Sequence, residues 1–178
     1  VYKRQTHAVE ALISLQASPL SDCVAVAAVE RVVDFLPAAA GGDRPAMNEM
    51  ALAATLAGIA IAHAGTTLLH VMGYPLTTFH DLPHGRASAC MLPQYLDFLG
   101  RQEPRSDKVG MVEEVLAGGS GPRAFIEGLG VSTSLRDYGV RSGEIEAFVD
   151  RVVVKDDLRI TPARVGREEI TELYLSCL

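Results

Sequence analysis

The residues with the most chemical promise are three histidines. His70 and His84 bracket the stretch HVMGYPLTTFHDLPH, with Gly85 behind it. Their separation is 84 − 70 = 14 residues. That is too far for one helical face but natural for two helices joined by a compact loop, where facing side chains can share a metal. Neutral imidazoles are the commonest protein ligands for late first-row divalent ions, and one carboxylate beside them suits Fe²⁺ or Zn²⁺. A position left open would accept a substrate oxygen, with the metal acting as a Lewis acid toward it. His7 is proposed as the third partner. The residues alone leave an equal alternative for His70 and His84, a core histidine bonded to a backbone carbonyl.

The elements that must position these side chains read as helices throughout. His7 to Leu15 carries Ala8, Leu12 and Leu15 on an amphipathic pattern broken by Pro19. Ser21 caps a second helix through Cys23, Val26, Val29, Val33 and Leu36, ending at Pro37. AAAGGDRP is a loop. A long third helix is expected from Pro45 to about His70, delivering that histidine near its C-terminal end. A Gly-Tyr-Pro loop then reverses the chain, and His84 opens a helix to Gly100 that Pro93 should kink or split. Further helices are expected after Ser106 up to Gly118 and Gly119, over Pro122 to Leu129, in STSLRDYGV as one turn closed by Gly139, after Ser142 through Phe148 and Val152, and at the C-terminus. VVV at 152–154 reads as a helix end, and no strand alternation persists. The fold class is all-α, a helical bundle.

Composition narrows the function classes. The 178 residues, 48% hydrophobic and 21% charged, suffice for one domain with a core. A formal charge of −6 argues against nucleic acid or an anionic membrane as partner and favours a small molecule or a protein. Cys23, Cys90 and Cys177 are odd in number and widely spaced, which supports neither disulfides nor a thiolate zinc site and points to a reducing, cytoplasmic setting. Met50 to Met72 lacks Asp, Glu, Lys and Arg, yet Thr55, His63, Thr66, Thr67 and His70 punctuate it, so the central helix of a bundle is the simpler reading than a membrane span. GGSGPR at 118–123 has no preceding strand and no Lys-Ser or Lys-Thr behind it, so it reads as a linker rather than a phosphate loop. VYKRQ at 1–5 matches the translation of a transposon-end adapter used in sequencing libraries and is expected to be a non-native scar, leaving 6–178 as a single domain.

THAVEA at 6–11, MALAATLAGIA at 50–60, AG-x₄-H ending at His70, YPL followed by PHG ending at Gly85, and LRDYGV with a late TP-x-R-V loop together resemble the C-terminal helical domain of the iron-containing alcohol dehydrogenases. The similarity spans essentially the whole chain from Thr6. It implies an oxidoreductase acting on alcohols and aldehydes, with a metal, Fe²⁺ or Zn²⁺, in a cleft against an N-terminal domain that binds NAD(P). That domain is absent from this sequence, so the fragment alone is expected to be inactive. The parent enzyme is expected to be a homo-oligomer.

The resemblance also implies the ligand set. Carried over residue by residue, His7, His70 and His84 are metal ligands, and an Asp four residues before His7 would complete the set. Position 7 − 4 = 3 holds Lys3 instead. An ammonium there would repel a divalent cation, and the substitution falls inside the expected scar. His80 is a candidate relay for the alcohol proton or a surface residue. His63, two turns before His70, is a core or pocket-lining histidine. Thr66 and Thr67 line the substrate pocket or bond helix carbonyls, and Tyr74 and Phe79 shape that pocket. The alternatives are a glycerol dehydrogenase-like zinc enzyme and, in a different class, a non-catalytic module for packing or oligomerisation.

Overall fold

The computed structural model describes residues 2–102, 107–117 and 121–178, and the side chains of all of these except residues 2–5 and 117. The described residues contain nine α-helices, several short 3₁₀ segments and no strand. In chain order the helices are α1 Tyr2–Ile13, α2 Pro19–Ala40, α3 Arg44–Ala64, α4 Leu68–His80, α5 His84–Gly100, α6 Asp107–Ala117, α7 Gly121–Gly128, α8 Ile145–Val152 and α9 Arg167–Ser176. The expected all-helical bundle is what forms. Ser106, Gly118 and Gly119, expected as helix start and stop signals, lie outside the described residues. All three cysteines are free.

α2 and α3 form an antiparallel pair for a reason visible in side-chain size. On α3 the buried positions are Ala46, Met50, Ala53, Ala57, Ala60 and Ala64, a three-four spacing with one large residue. Facing it, α2 buries Ala25, Ala28, Val29, Val32, Leu36 and Ala39. Small residues at that spacing let two helices approach closely along one stripe. α3 is long and apolar enough, by length and composition, to cross a membrane. Here it packs on α1 and α2 and leaves Met47, Leu52 and Ile59 exposed.

The central helix is α1, not α3. Every residue from Thr6 to Ser14 is buried, and α1 contacts α2, α3, α4, α5 and α6. The amphipathic pattern expected here fails because Leu15 falls beyond the helix end and is exposed, whereas the small Ala8, Ala11 and Ser14 admit neighbours on all sides.

The prolines correct the expected stop at Pro37, the expected loop at Gly73-Tyr74-Pro75 and the expected split, though not the kink, at Pro93. α2 continues through Pro37 to Ala40, α5 runs unbroken through Pro93, and Gly73-Tyr74-Pro75 is helix within α4. An internal proline costs about 3 kcal/mol or more through its missing N–H and its clash with the preceding turn. In α4 the burial of Leu69, Val71, Met72, Pro75 and Leu76, each of the large ones contributing roughly 1.5–3 kcal/mol, outweighs that cost.

The break occurs earlier, at Gly65. Its φ of 73° and ψ of −177° lie in a region open essentially to glycine, so α3 stops at Ala64 and a new helix begins at Leu68. His70 is thereby in the first turn of α4, near an N-terminus rather than at the C-terminal end of a long helix. α4 closes at Asp81 in the left-handed conformation, with the Leu82 N–H donating to the Leu76 carbonyl at 3.3 Å.

The core also holds acids that resist ionisation. Burial pushes the Tyr95, Tyr174 and Cys90 groups well up, and the Cys177 thiol up to about 12. These groups ionise more easily in the unfolded chain, at about 10 for tyrosine and 9 for these thiols. Their contribution is therefore fully present below pH 9 and is lost as pH rises through the folded-state values. Urea midpoints are expected to be flat with respect to these groups up to pH 9. Above pH 10 they should fall, with the unfolding free energy dropping by more than the ~1.4 kcal/mol per pH unit that one group supplies. A flat midpoint through pH 11.5 would contradict the burial of these groups.

Candidate metal centre

Three helices each bring one imidazole to one place. His7 comes from α1, His70 from the first turn of α4, and His84 from the first turn of α5. One ring nitrogen from each lies within 4.8 Å of the other two. The His70 ring centroid stands 5.3 Å from His7 and 4.6 Å from His84. His7 is buried, and the other two are half-buried. The 14-residue spacing works because Asp81-Leu82-Pro83 turns α5 back across α4. The crossing is tight at Gly73, where a Cβ would stand 3.0 Å from Ser88 Oγ.

The N-terminus of α4 is held in an unusual way. Thr67, its N-cap, makes no side-chain cap of its own. Instead Glu10 of α1 reaches in: its Oε1 accepts from the Thr67 N–H at 2.9 Å, the Thr67 hydroxyl at 3.0 Å and the His70 N–H at 3.0 Å. Thr161 accepts from the Leu68 N–H at 2.9 Å, and Tyr95 donates its hydroxyl to Thr67 Oγ1 at 2.9 Å. The N–H groups of Thr67, Leu68 and His70 are thus met by side chains from elsewhere in the fold. The other Glu10 oxygen, Oε2, lies 3.6 Å from His70 Nδ1. Glu10 is wholly buried and is the one buried carboxylate among the described residues.

Tyr74 lies at the same place. Its ring stacks on His84 at 5.4 Å with 19° between planes and meets His70 edge-on at 5.4 Å. Burial, and then the negative charges of Asp157 and Glu10, hold its phenol above the usual tyrosine value. Near neutral pH it is therefore a protonated donor. Lys155 approaches the same ring at 5.9 Å.

The other sequence candidates make contacts of their own. Thr66 donates its hydroxyl to Asp157 at 2.7 Å and lines a surface pocket of about 430 Å³ with Gln16, Gly65, Asp156, Asp157 and Ile160. Phe79 stacks on Phe148 at 5.9 Å under the Arg151 guanidinium. His80 sits 3.2 Å from Glu144 and edge-on to Phe148. Ten residues of helix, about 15 Å of rise, separate it from His70. His63 is exposed, because the chain break at Gly65 removes the shared helix face with His70 that would have brought it inside. The Lys3 side chain lies outside the described residues.

Sequence reasoning passed over Glu10. Its signal was present: a lone carboxylate three residues after His7, on the same helical face, in a run that is otherwise apolar. The structure shows how that carboxylate serves the site. A buried carboxylate beside His70, with no Lys or Arg paired to it among the described residues, favours a cation nearby. The neutral nitrogen donors suit a late first-row divalent ion, so the residues present fit such a metal.

Known proteins share this arrangement of helices. The family model described as the Fe-containing alcohol dehydrogenase family, C-terminal, matches residues 5–178. Lactaldehyde reductase of Escherichia coli K12 is 32% identical over 183 residues, covering 95% of this chain and 47% of that protein. The 1,3-propanediol dehydrogenase of Citrobacter freundii is 30% identical, with 95% and 47% covered. Among solved structures, the iron-containing alcohol dehydrogenase of Thermotoga maritima superposes with a TM-score of 0.89 at 33% identity, over 99% of this chain and 47% of that one. The chain spans about half the length of the relatives it matches. It belongs to the iron-containing alcohol dehydrogenase family and corresponds to the C-terminal, all-helical domain of its members.

Proposed function

We propose that this chain is the metal-binding part of an NAD(P)-dependent alcohol dehydrogenase, in which His7, His70 and His84 hold a divalent ion. The observation that carries the reading is the convergence of three imidazole nitrogens from three helices within 4.8 Å. Fe²⁺ or Zn²⁺ there would supply Lewis acidity toward the oxygen of an alcohol or aldehyde while hydride moves to or from a nicotinamide. The chain's own residues position and insulate that chemistry. α1 fixes His7 in a fully packed helix, Glu10 locks the turn that carries His70, and the Gly73 crossing brings His84 over it. Tyr74, stacked on His84 and protonated at neutral pH, covers one side of the site and offers a hydroxyl donor. The nicotinamide belongs to a domain that precedes this one in a full-length enzyme, and small alcohols or aldehydes are the substrate class.

Lys3 stands where the family places its carboxylate ligand, and we propose that residues 1–5 are not native. Restoring the carboxylate is the direct test. The Lys3→Asp chain, loaded anaerobically with Fe²⁺ or with Zn²⁺ and desalted, is expected to retain about one ion per chain, and the Lys3 chain much less. Equal and negligible retention by both would overturn the metal reading and favour a non-catalytic packing module. Upstream coding sequence is expected to show Asp four residues before His7 and a nucleotide-binding domain ahead of it.

A further inference from the structure

We infer that Glu10 is a positioning residue that selects the tautomer of His70, presenting Nε2 as the nitrogen free to bind a ligand. The inference rests on the metal-centre reading for its purpose, but its physical content can be tested without any metal.

The two carboxylate oxygens of Glu10 have different work. Oε1 takes all three donors from the start of α4, the Thr67 N–H, the Thr67 hydroxyl and the His70 N–H. Oε2 takes none of them, is buried, and faces His70 Nδ1 at 3.6 Å. Among the described residues neither Oε2 nor His70 Nδ1 has another hydrogen-bond partner. A neutral imidazole carries its proton on one nitrogen only, and the partner of that nitrogen decides which. With the proton on Nδ1, an N–H meets a carboxylate oxygen. With the proton on Nε2, two lone pairs would face each other in a site where burial amplifies the repulsion. The first arrangement leaves the Nε2 lone pair for the metal. It also couples the helix that carries His7 to the orientation of His70, because Glu10 lies one turn beyond His7 on α1.

Glu10→Gln separates this role from the capping role. The amide oxygen can still accept the three first-turn donors, while the amide nitrogen replaces Oε2 and donates toward Nδ1. His70 should then hold its proton on Nε2, where it blocks ligation. Thr67→Ala is the structural control, since it removes one donor to Oε1 and the partner of Tyr95 without touching Oε2.

Long-range ¹H–¹⁵N spectra of the metal-free, labelled 178-residue chain at alkaline pH report the tautomer directly, with His70 assigned from the signals lost in His70→Gln. The expected result is Nδ1–H in the parent chain and in Thr67→Ala, and Nε2–H in Glu10→Gln. Zn²⁺ titration in the Lys3→Asp background should show Glu10→Gln weakened roughly 10–100-fold, the range seen when a carboxylate behind a metal-bound histidine is lost. Thr67→Ala should stay within about threefold on the same basis. An Nε2–H tautomer in the parent chain overturns the inference, and so does an unchanged Nδ1–H in Glu10→Gln. The parent spectrum decides even if Glu10→Gln fails to fold. Failure of the Lys3→Asp chain to bind Zn²⁺ would instead sink the metal reading, and the tautomer result would still stand or fall on its own.

Discussion

Replacing His84 by alanine in the Lys3→Asp chain is expected to weaken Zn²⁺ binding by roughly one hundred to one thousandfold, with little effect on the fold. A four-ligand zinc site supplies about 10–16 kcal/mol, so one ligand carries roughly 3–4 kcal/mol, and each 1.4 kcal/mol is a factor of ten. The fold should tolerate the change because His84 is half-buried at the first position of α5, a place where alanine is a good helix former. Its ring meets His70 and Tyr74, members of the same site. Isothermal titration with Zn²⁺ gives the affinity, and urea unfolding of the metal-free chains gives the stability. Unchanged affinity would remove His84 from the ligand set. Equal losses of affinity and of metal-free stability would show that the residue matters for packing.

Gly65→Val is expected to cost about 2–6 kcal/mol of stability, enough at the upper end to unfold a marginal domain. Two terms add. The backbone conformation at Gly65 costs a β-branched residue about 1–3 kcal/mol, and overpacking costs about 1–3 kcal/mol more. The clash is specific: a Cβ at this position would stand 2.6 Å from Ile160 Cδ1. Ile160 belongs to the segment whose neighbour Thr161 caps Leu68, so the strain falls on the turn that carries His70. Gly128→Ala is the matched control, since a Cβ there meets nothing within 4 Å. Chemical denaturation of both variants should show a large shift in midpoint for the first and almost none for the second. A Gly65→Val chain as stable as the parent would mean that α3 and α4 can be joined differently.

Much of the site was legible in the chain because imidazoles are rare and their spacing is informative. His7, His70 and His84 were proposed together, and the structure brings their nitrogens together. The all-helical class was equally legible, since apolar periodicity and helix punctuation are local signals that survive folding. The chain's family membership followed from motifs spread over its whole length.

The misreadings share a cause. Pro37 and Pro75 read as helix stops and Pro93 as a kink or split because a proline's cost is local, while the burial that offsets it comes from residues distant in sequence. Gly65 gives no local sign of a break, because glycine within a helical pattern costs only about 1 kcal/mol; its positive φ and its closeness to Ile160 are tertiary facts. That one missed break placed His70 at the wrong end of a helix and His63 on the inside. By itself, then, the sequence determined which side chains could do chemistry and that helices would carry them. The tertiary structure alone decided that α1 is buried from Thr6 to its end and that Glu10 reaches 57 residues along the chain to cap α4 and face His70. The reason is that a buried carboxylate is tolerable only where the fold gathers enough donors around it, and here those donors belong to a different helix.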